Sequence, residues 1–163
     1  MIYRIPHKPT DKTNLKRTVF EPPKFGIECM FIKMSRTKGI KVYETKKEAL
    51  FARKLQMKAA RNKLAPQVLS TIYKCHFDFH CDDKWGAFYH NQKYAYFFVT
   101  EVVEILKKIS YPVAECLQKK LWNLGIHTYD VHPKNVGRIG ERLVMVDFGR
   151  ESISDDKEIA DCN

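Results

Sequence analysis

The run Tyr94 to Val99 is almost continuously apolar and constrains the fold more than any other stretch. Such a run suits a strand buried on both faces. The segments before it change period in a definite order. Phe25 to Lys33 reads as a strand, Arg36-Thr37-Lys38-Gly39 as a turn, and Ile40 to Tyr43 as the return strand. Thr45 can cap a helix, with Glu48 as its capping-box partner. That helix is expected to reach about Lys63, with Leu50, Phe51, Leu55, Ala59 and Leu64 on its apolar stripe. Ala65-Pro66 is expected to end it, because the residue before proline avoids the helical region. Val68 to Phe79 is rich in β-branched and aromatic residues, and Asp82-Asp83 with Gly86 marks a turn. Pro112 suits the first turn of a second helix, with Val113, Leu117, Leu121 and Leu124 on one stripe and Gly125 as its stop. Val136 to Ile139 and Leu143 to Val146 form a hairpin around Gly140. Strands, helix, strands, helix and hairpin in that order predict an α+β fold with an N-terminal sheet lobe.

Composition narrows the class. With 163 residues, 44% of them hydrophobic, the chain suits one domain or two small lobes sharing a core, and not a disordered segment. No stretch approaches the roughly 20 apolar residues of a membrane helix. The N-terminal residues lack an apolar signal-peptide core, so a cytoplasmic location without membrane association is expected. Residues 1–24 carry Pro6, Pro9, Pro22 and Pro23 among Lys, Arg and Thr and read as a basic extended arm. The net charge of +10 favours polyanionic partners, nucleotide or nucleic acid among them, without choosing one. The basic clusters at 8–24, 33–63 and 107–120 read individually as solvated surface. Five scattered cysteines (29, 75, 81, 116 and 162) read as reduced thiols.

The chemistry concentrates in Tyr129-Asp130-Val131-His132-Pro133-Lys134-Asn135-Val136 and in Leu143-Val144-Met145-Val146-Asp147-Phe148-Gly149. Phosphoryl transfer needs a group beside the attacking hydroxyl and metal ions on the phosphates. Asp130 has the position for the first role. Asn135 and Asp147 supply the oxygen ligands that Mg²⁺ prefers.

These two segments resemble the catalytic loop and the Asp-Phe-Gly segment of the protein kinase family. The family's His-Arg-Asp-Leu-x-x-x-Asn pattern falls on Thr128, Tyr129, Asp130, Val131 and Asn135. The His132-Pro133 pair looks more like the loop of aminoglycoside and choline phosphotransferases. Ile40-Lys41-Val42 resembles the strand whose lysine holds the α- and β-phosphates. Phe98 to Val103 resembles the linker between lobes, where backbone groups of Glu101 and Val103 face adenine. The resemblance covers roughly Phe25 to Gly149. It implies a kinase-like lobe of antiparallel sheet with one helix (25–103), followed by a truncated helical lobe carrying the catalytic loop (104–163). It further points to a product of a bacteriophage or another small genome.

Departures from the family pattern are also legible. The phosphate-covering loop retains only Gly26, although close backbone approach is easiest at glycine. Glu48 lies a turn early for a partner of Lys41. Fourteen residues follow Gly149, so the activation segment and the peptide-docking helices are missing from the pattern. The family histidine is replaced by Thr128, with His127 one position away. Elsewhere, Cys75-His76-Phe77-Asp78-Phe79-His80-Cys81 has zinc-binding residue types, but a strand would send thiols and imidazoles to opposite faces. Lys107, Lys108, Lys119 and Lys120 with Trp122 have residue types found on nucleic-acid surfaces, but Lys119 and Lys120 flank the apolar stripe of the second helix and read as its solvent face.

The expectation is an ATP- and Mg²⁺-dependent phosphotransferase acting on a serine or threonine hydroxyl of a protein, including one of a host cell. Lys41 and Asp130 would be catalytic, Gly26, Lys41, Glu101 and Val103 nucleotide-binding, and Asn135 and Asp147 metal-binding. The alternatives are a kinase-like binding module without activity and a small-molecule phosphotransferase.

Overall fold

The structure, a computed structural model, describes residues 3–6, 24–25, 29–78, 94–149 and 153–155. It is a mixed α+β fold with two helices among the described residues. The chain divides into two compact units, residues 1–50 with 69–102 and residues 51–68 with 103–163. Segment 51–68, read from sequence as part of the sheet lobe, thus groups with the C-terminal residues.

The first unit is built on a six-stranded sheet. Its strands are β1 (Tyr3–Pro6), β2 (Lys24–Phe25), β3 (Met30–Lys33), β4 (Lys38–Tyr43), β5 (Tyr73–Asp78) and β6 (Tyr94–Glu101), in spatial order β1-β5-β6-β4-β3-β2. The pairs are antiparallel except at the edge, where β1 runs parallel to β5. The expected antiparallel sheet is therefore mixed, and part of the N-terminal arm is a strand of it. Pro6 is tolerated there because an edge strand has one unpaired side. The single strand expected from Phe25 to Lys33 is two strands. They are antiparallel, with Lys24 opposite Phe31 and Phe25 opposite Met30.

The alternation of the sheet sets its core. Met30, Ile32, Ile40, Val42, Ala95 and Phe97 share one face and are buried together. On the other face Tyr43 stacks on Phe98 with ring centroids 5.8 Å apart, and the Phe31 ring lies where a Cβ on Gly39 would stand. The β6 register, Ile40 with Val99 and Val42 with Phe97, puts the apolar run at the centre of the sheet. The turn before β4 is closed by Ser35, whose Oγ accepts from the backbone N–H groups of Thr37 and Lys38.

Helix α1 (Lys46–Arg61) begins at the capping box read from the sequence. Glu48 N–H donates to Thr45 Oγ1 at 3.2 Å, and Thr45 N–H to Glu48 Oε2 at 3.0 Å. Its end differs from expectation. Lys63 takes a left-handed φ of 62°, and Leu64 N–H returns to Ala59 O at 2.9 Å, so the helix closes before Ala65-Pro66 is reached. The buried stripe also differs. Ala49, Ala52, Leu55, Gln56, Ala59 and Ala60 are buried, whereas Leu50 is 49% exposed. Gln56 is accommodated because its Nε2 donates to Pro66 O at 3.1 Å.

In the second unit, α2 (Tyr111–Trp122) follows Ser110 and has proline in its first turn. Leu117 and Leu121 are buried while Val113 is exposed, and Gly125 takes φ 68° at the stop. The expected helical lobe contains two small sheets as well. β9 (Val136–Ile139) and β10 (Arg142–Met145) form the hairpin around Gly140, at φ 57°, and β7 (Glu104–Ile105) adds to β9. β8 (Ile126–Thr128) pairs with β11 (Ile153–Asp155). Pairings this short carry no readable period. No helix among the described residues is long and apolar enough to cross a membrane.

Candidate functional site

The site is built on the path from β8 through a one-turn 3₁₀ helix (Pro133–Asn135) to the β9–β10 hairpin. Strand alternation decides which side chain of β8 turns inward. Thr128 is fully buried, and His127 stacks on the Trp122 ring with centroids 6.0 Å apart. Of the two, Thr128 is the side chain enclosed by the fold. Its Oγ1 accepts from Asp130 N–H at 3.2 Å. Its carbonyl accepts from Trp122 Nε1 at 2.8 Å and from Gln118 Nε2 at 2.9 Å, so α2 fixes the start of the loop. Tyr129 meets the edge of Trp122 but remains 76% exposed.

Beyond Thr128 the chain is held by bonds across a few residues. His132 N–H donates to Asp130 O, and Asn135 N–H to His132 O. Asn135 Nδ2 lies 2.6 Å from Asp130 Oδ2 and 3.3 Å from Asp130 O. Facing two acceptors, this atom is the amide nitrogen, and Asn135 Oδ1 is left as the oxygen available to a cation. The other carboxylate oxygen, Asp130 Oδ1, lies 3.0 Å from His132 Nε2. Both side chains are about two-fifths exposed, at 43% for His132 and 41% for Asp130. The loop thus presents an oriented carboxylate to solvent.

The hairpin register brings Asp147 to the neighbouring strand end. Met145 pairs with Val136, and Val146 N–H donates to Asn135 O at 2.9 Å. Asp147 Oδ1 accepts from Gly149 N–H at 3.2 Å, which turns the chain around fully buried Phe148. Asn135 and Asp147 are thereby half-buried oxygen donors on adjacent chain ends. An amide oxygen and a carboxylate fit Mg²⁺, which takes few protein ligands and keeps waters or phosphate.

The remaining expected residues fall as follows. Lys41, on β4, is only 6% exposed, and a lysine so buried needs oxygen acceptors close by. Glu101 ends β6 opposite Lys38, and Val102 N–H donates to Thr37 O. Val103 belongs to the second unit, where its side chain lies against Gly137. Gly26 lies outside the described residues, as do the side chains of 75–81. Glu48 closes the cap of α1. Among the described residues no three His, Cys, Asp or Glu side chains gather as a metal cluster, and Cys116 is an exposed free thiol.

Residue type alone assigns no role to Gln118 and places Trp122 beside a basic helix face. The signal for both lies in their spacing, one helical turn apart on the side of α2 that meets β8. His132 entered only through its resemblance; its place just before Pro133, where a capping acceptor is wanted, was the local clue. The chain matches no protein family, no curated protein and no solved structure.

Proposed function

We propose that this chain is an ATP- and Mg²⁺-dependent phosphotransferase with a protein-kinase-like fold, acting as a minimal serine/threonine protein kinase in the cytoplasm. The observation that carries the reading is the Asp130–Asn135 pair at 2.6 Å, with Asp147 on the adjoining strand end. A half-exposed carboxylate held by side-chain donors suits a base that must meet a hydroxyl in one geometry. In this reading the acceptor oxygen forms a bond to the γ-phosphorus as the bond to the β,γ-bridging oxygen breaks. The hydroxyl proton passes to Asp130, and ADP leaves. Asn135 Oδ1 and Asp147 would hold Mg²⁺, which neutralises charge on the phosphates when bound. Lys41 would contact the α- and β-phosphates, and backbone groups of Glu101 and Val103 would face adenine.

One observation favours a second reading, a kinase-like binding module. Glu48, the helix glutamate nearest in sequence to the family's lysine partner, serves the cap of its own helix. Thermal shift with ATP, with and without Mg²⁺, separates the two. A magnesium-dependent rise in melting temperature in the wild type, lost in Asp147→Ala, is expected for the enzyme. No rise in either protein supports the binding module.

A further inference from the structure

His132 has hydrogen-bond partners that favour one tautomer. Lys134 N–H donates to Nδ1 at 3.2 Å. Nδ1 therefore carries the lone pair of the neutral ring, and the proton sits on Nε2. Pro133 lacks an N–H, so Lys134 supplies the first backbone donor of the 3₁₀ turn. The Nε2–H then points to Asp130 Oδ1 at 3.0 Å. Asn135 Nδ2 occupies the other oxygen and lies 3.2 Å from His132 Nε2. Two donors thus converge on one carboxylate. An exposed pair of this kind adds little to stability. What it does supply is orientation, as when a third group aligns a catalytic base.

We propose that His132 is a positioning residue for Asp130: as the Nε2–H tautomer, capped at Nδ1 by Lys134 N–H, it holds the carboxylate in the orientation used for the acceptor hydroxyl. The proposal rests on the phosphotransferase reading above. Two substitutions separate its two bonds. In His132→Asn the amide oxygen stands at the same remove from Cα as Nδ1, so the cap is kept and the donor to Asp130 is lost. In His132→Gln the amide nitrogen stands at the same remove as Nε2, so the donor is kept and the cap is lost.

The experiment measures transfer from γ-labelled ATP to dephosphorylated casein and to the chain itself, with thermal melts of every variant. The expected result is a fall in kcat of about ten- to a hundredfold in His132→Asn, an unchanged KM for ATP, and substantial recovery in His132→Gln. Wild-type kcat in His132→Asn, with loss in His132→Gln, would show that the ring serves only as a cap and would overturn the proposal. The ¹⁵N spectrum of the imidazole gives a readout independent of turnover. An Nε2-protonated ring supports the proposal, and an Nδ1-protonated ring overturns it. A wild type that transfers no label to either acceptor removes the phosphotransferase reading and this proposal with it. An active wild type with unperturbed His132→Asn removes the positioning role alone.

Discussion

The six-stranded sheet and the segment from Thr128 to Gly149 are held by different kinds of interaction. In the sheet, Met30, Ile32, Ile40, Val42, Ala95 and Phe97 bury apolar surface against one another. Each contributes in proportion to the area it removes from water, and a neighbour of similar volume would serve nearly as well. From Thr128 to Gly149 the chain is held atom by atom, through Thr128 Oγ1, both oxygens of Asp130, His132 Nδ1, Asn135 Nδ2 and Asp147 Oδ1. Several of these groups are half exposed, so each bond is weak as a source of stability. The apolar core of the sheet is therefore sensitive chiefly to volume, and the polar stretch Asp130 to Asn135 chiefly to chemistry, while Val136, Val144, Met145 and Phe148 beyond it are buried like the sheet core. Stability should reside in the first and chemical geometry in the second.

The sharpest way to break this contrast is Asp130→Asn. It preserves shape and removes the charge, so transfer is expected to fall by about 10²–10⁴-fold. The melting temperature and the magnesium-dependent ATP shift should stay close to wild type. Full turnover would sink the role given to Asp130, and a melting loss as large as that of a core variant would show that the loop also carries stability.

The sheet gives the converse test. Ile32 is buried among apolar neighbours. Ile32→Ala should cost about 2–5 kcal/mol and Ile32→Val about 0.5–1.5 kcal/mol, read from urea unfolding midpoints. Whichever molecules of the alanine variant remain folded should bind Mg-ATP as the wild type does. Equal costs for the two variants would mean that chemistry, rather than volume, governs this site.

The same contrast explains what could be read from sequence. Elements written in a repeated period were legible: the β3–β4 hairpin, the central run in β6, the stripe that includes Leu55 and Ala59, and Leu117 with Leu121 in α2. Local chemistry was legible where a side chain bonds a backbone a few residues away, as at Thr45 and Glu48. Leu50 was misplaced because overlapping helical stripes share Leu55 and Ala59, and the small alanines at 49, 52 and 60 define the buried one. Gln56 was illegible as a core residue because the acceptor that permits its burial, Pro66 O, is set by where the helix stops. The pairings of β1 with β5 and of β8 with β11 join segments distant in sequence and too short to show alternation. In the candidate site, Asp130, Asn135 and Asp147 stood out by residue type and spacing. The tautomer of His132 did not, because it depends on which N–H meets which ring nitrogen.

A polar device within the sheet unit sharpens the contrast further. The Thr45–Glu48 box is built like the loop, from named atoms, yet it serves α1. Thr45→Ala should cost about 1 kcal/mol in urea unfolding without changing kcat for label transfer. A drop in transfer at unchanged stability would mean that the start of α1 takes part in the chemistry.

The smallest effect is expected at Glu115 and Lys119, an exposed pair one helical turn apart at 2.8 Å on α2. Glu115 raises the Lys119 pKa above its ordinary 10.5, first through the hydrogen bond and then through its charge. A raised folded-state value means that the contribution is fully present below 10.5 and lost as pH rises through the folded value. Exposure of both side chains to solvent makes that contribution slight. Glu115→Gln should therefore unfold at the wild-type urea midpoint at neutral pH, and the two proteins should remain indistinguishable in strong alkali. A neutral-pH shift as large as that of Thr45→Ala, vanishing above the lysine pKa, would show that a solvent-exposed charge pair can rival a backbone cap. Atom-specific polar contacts would then hold this fold as well as its loop.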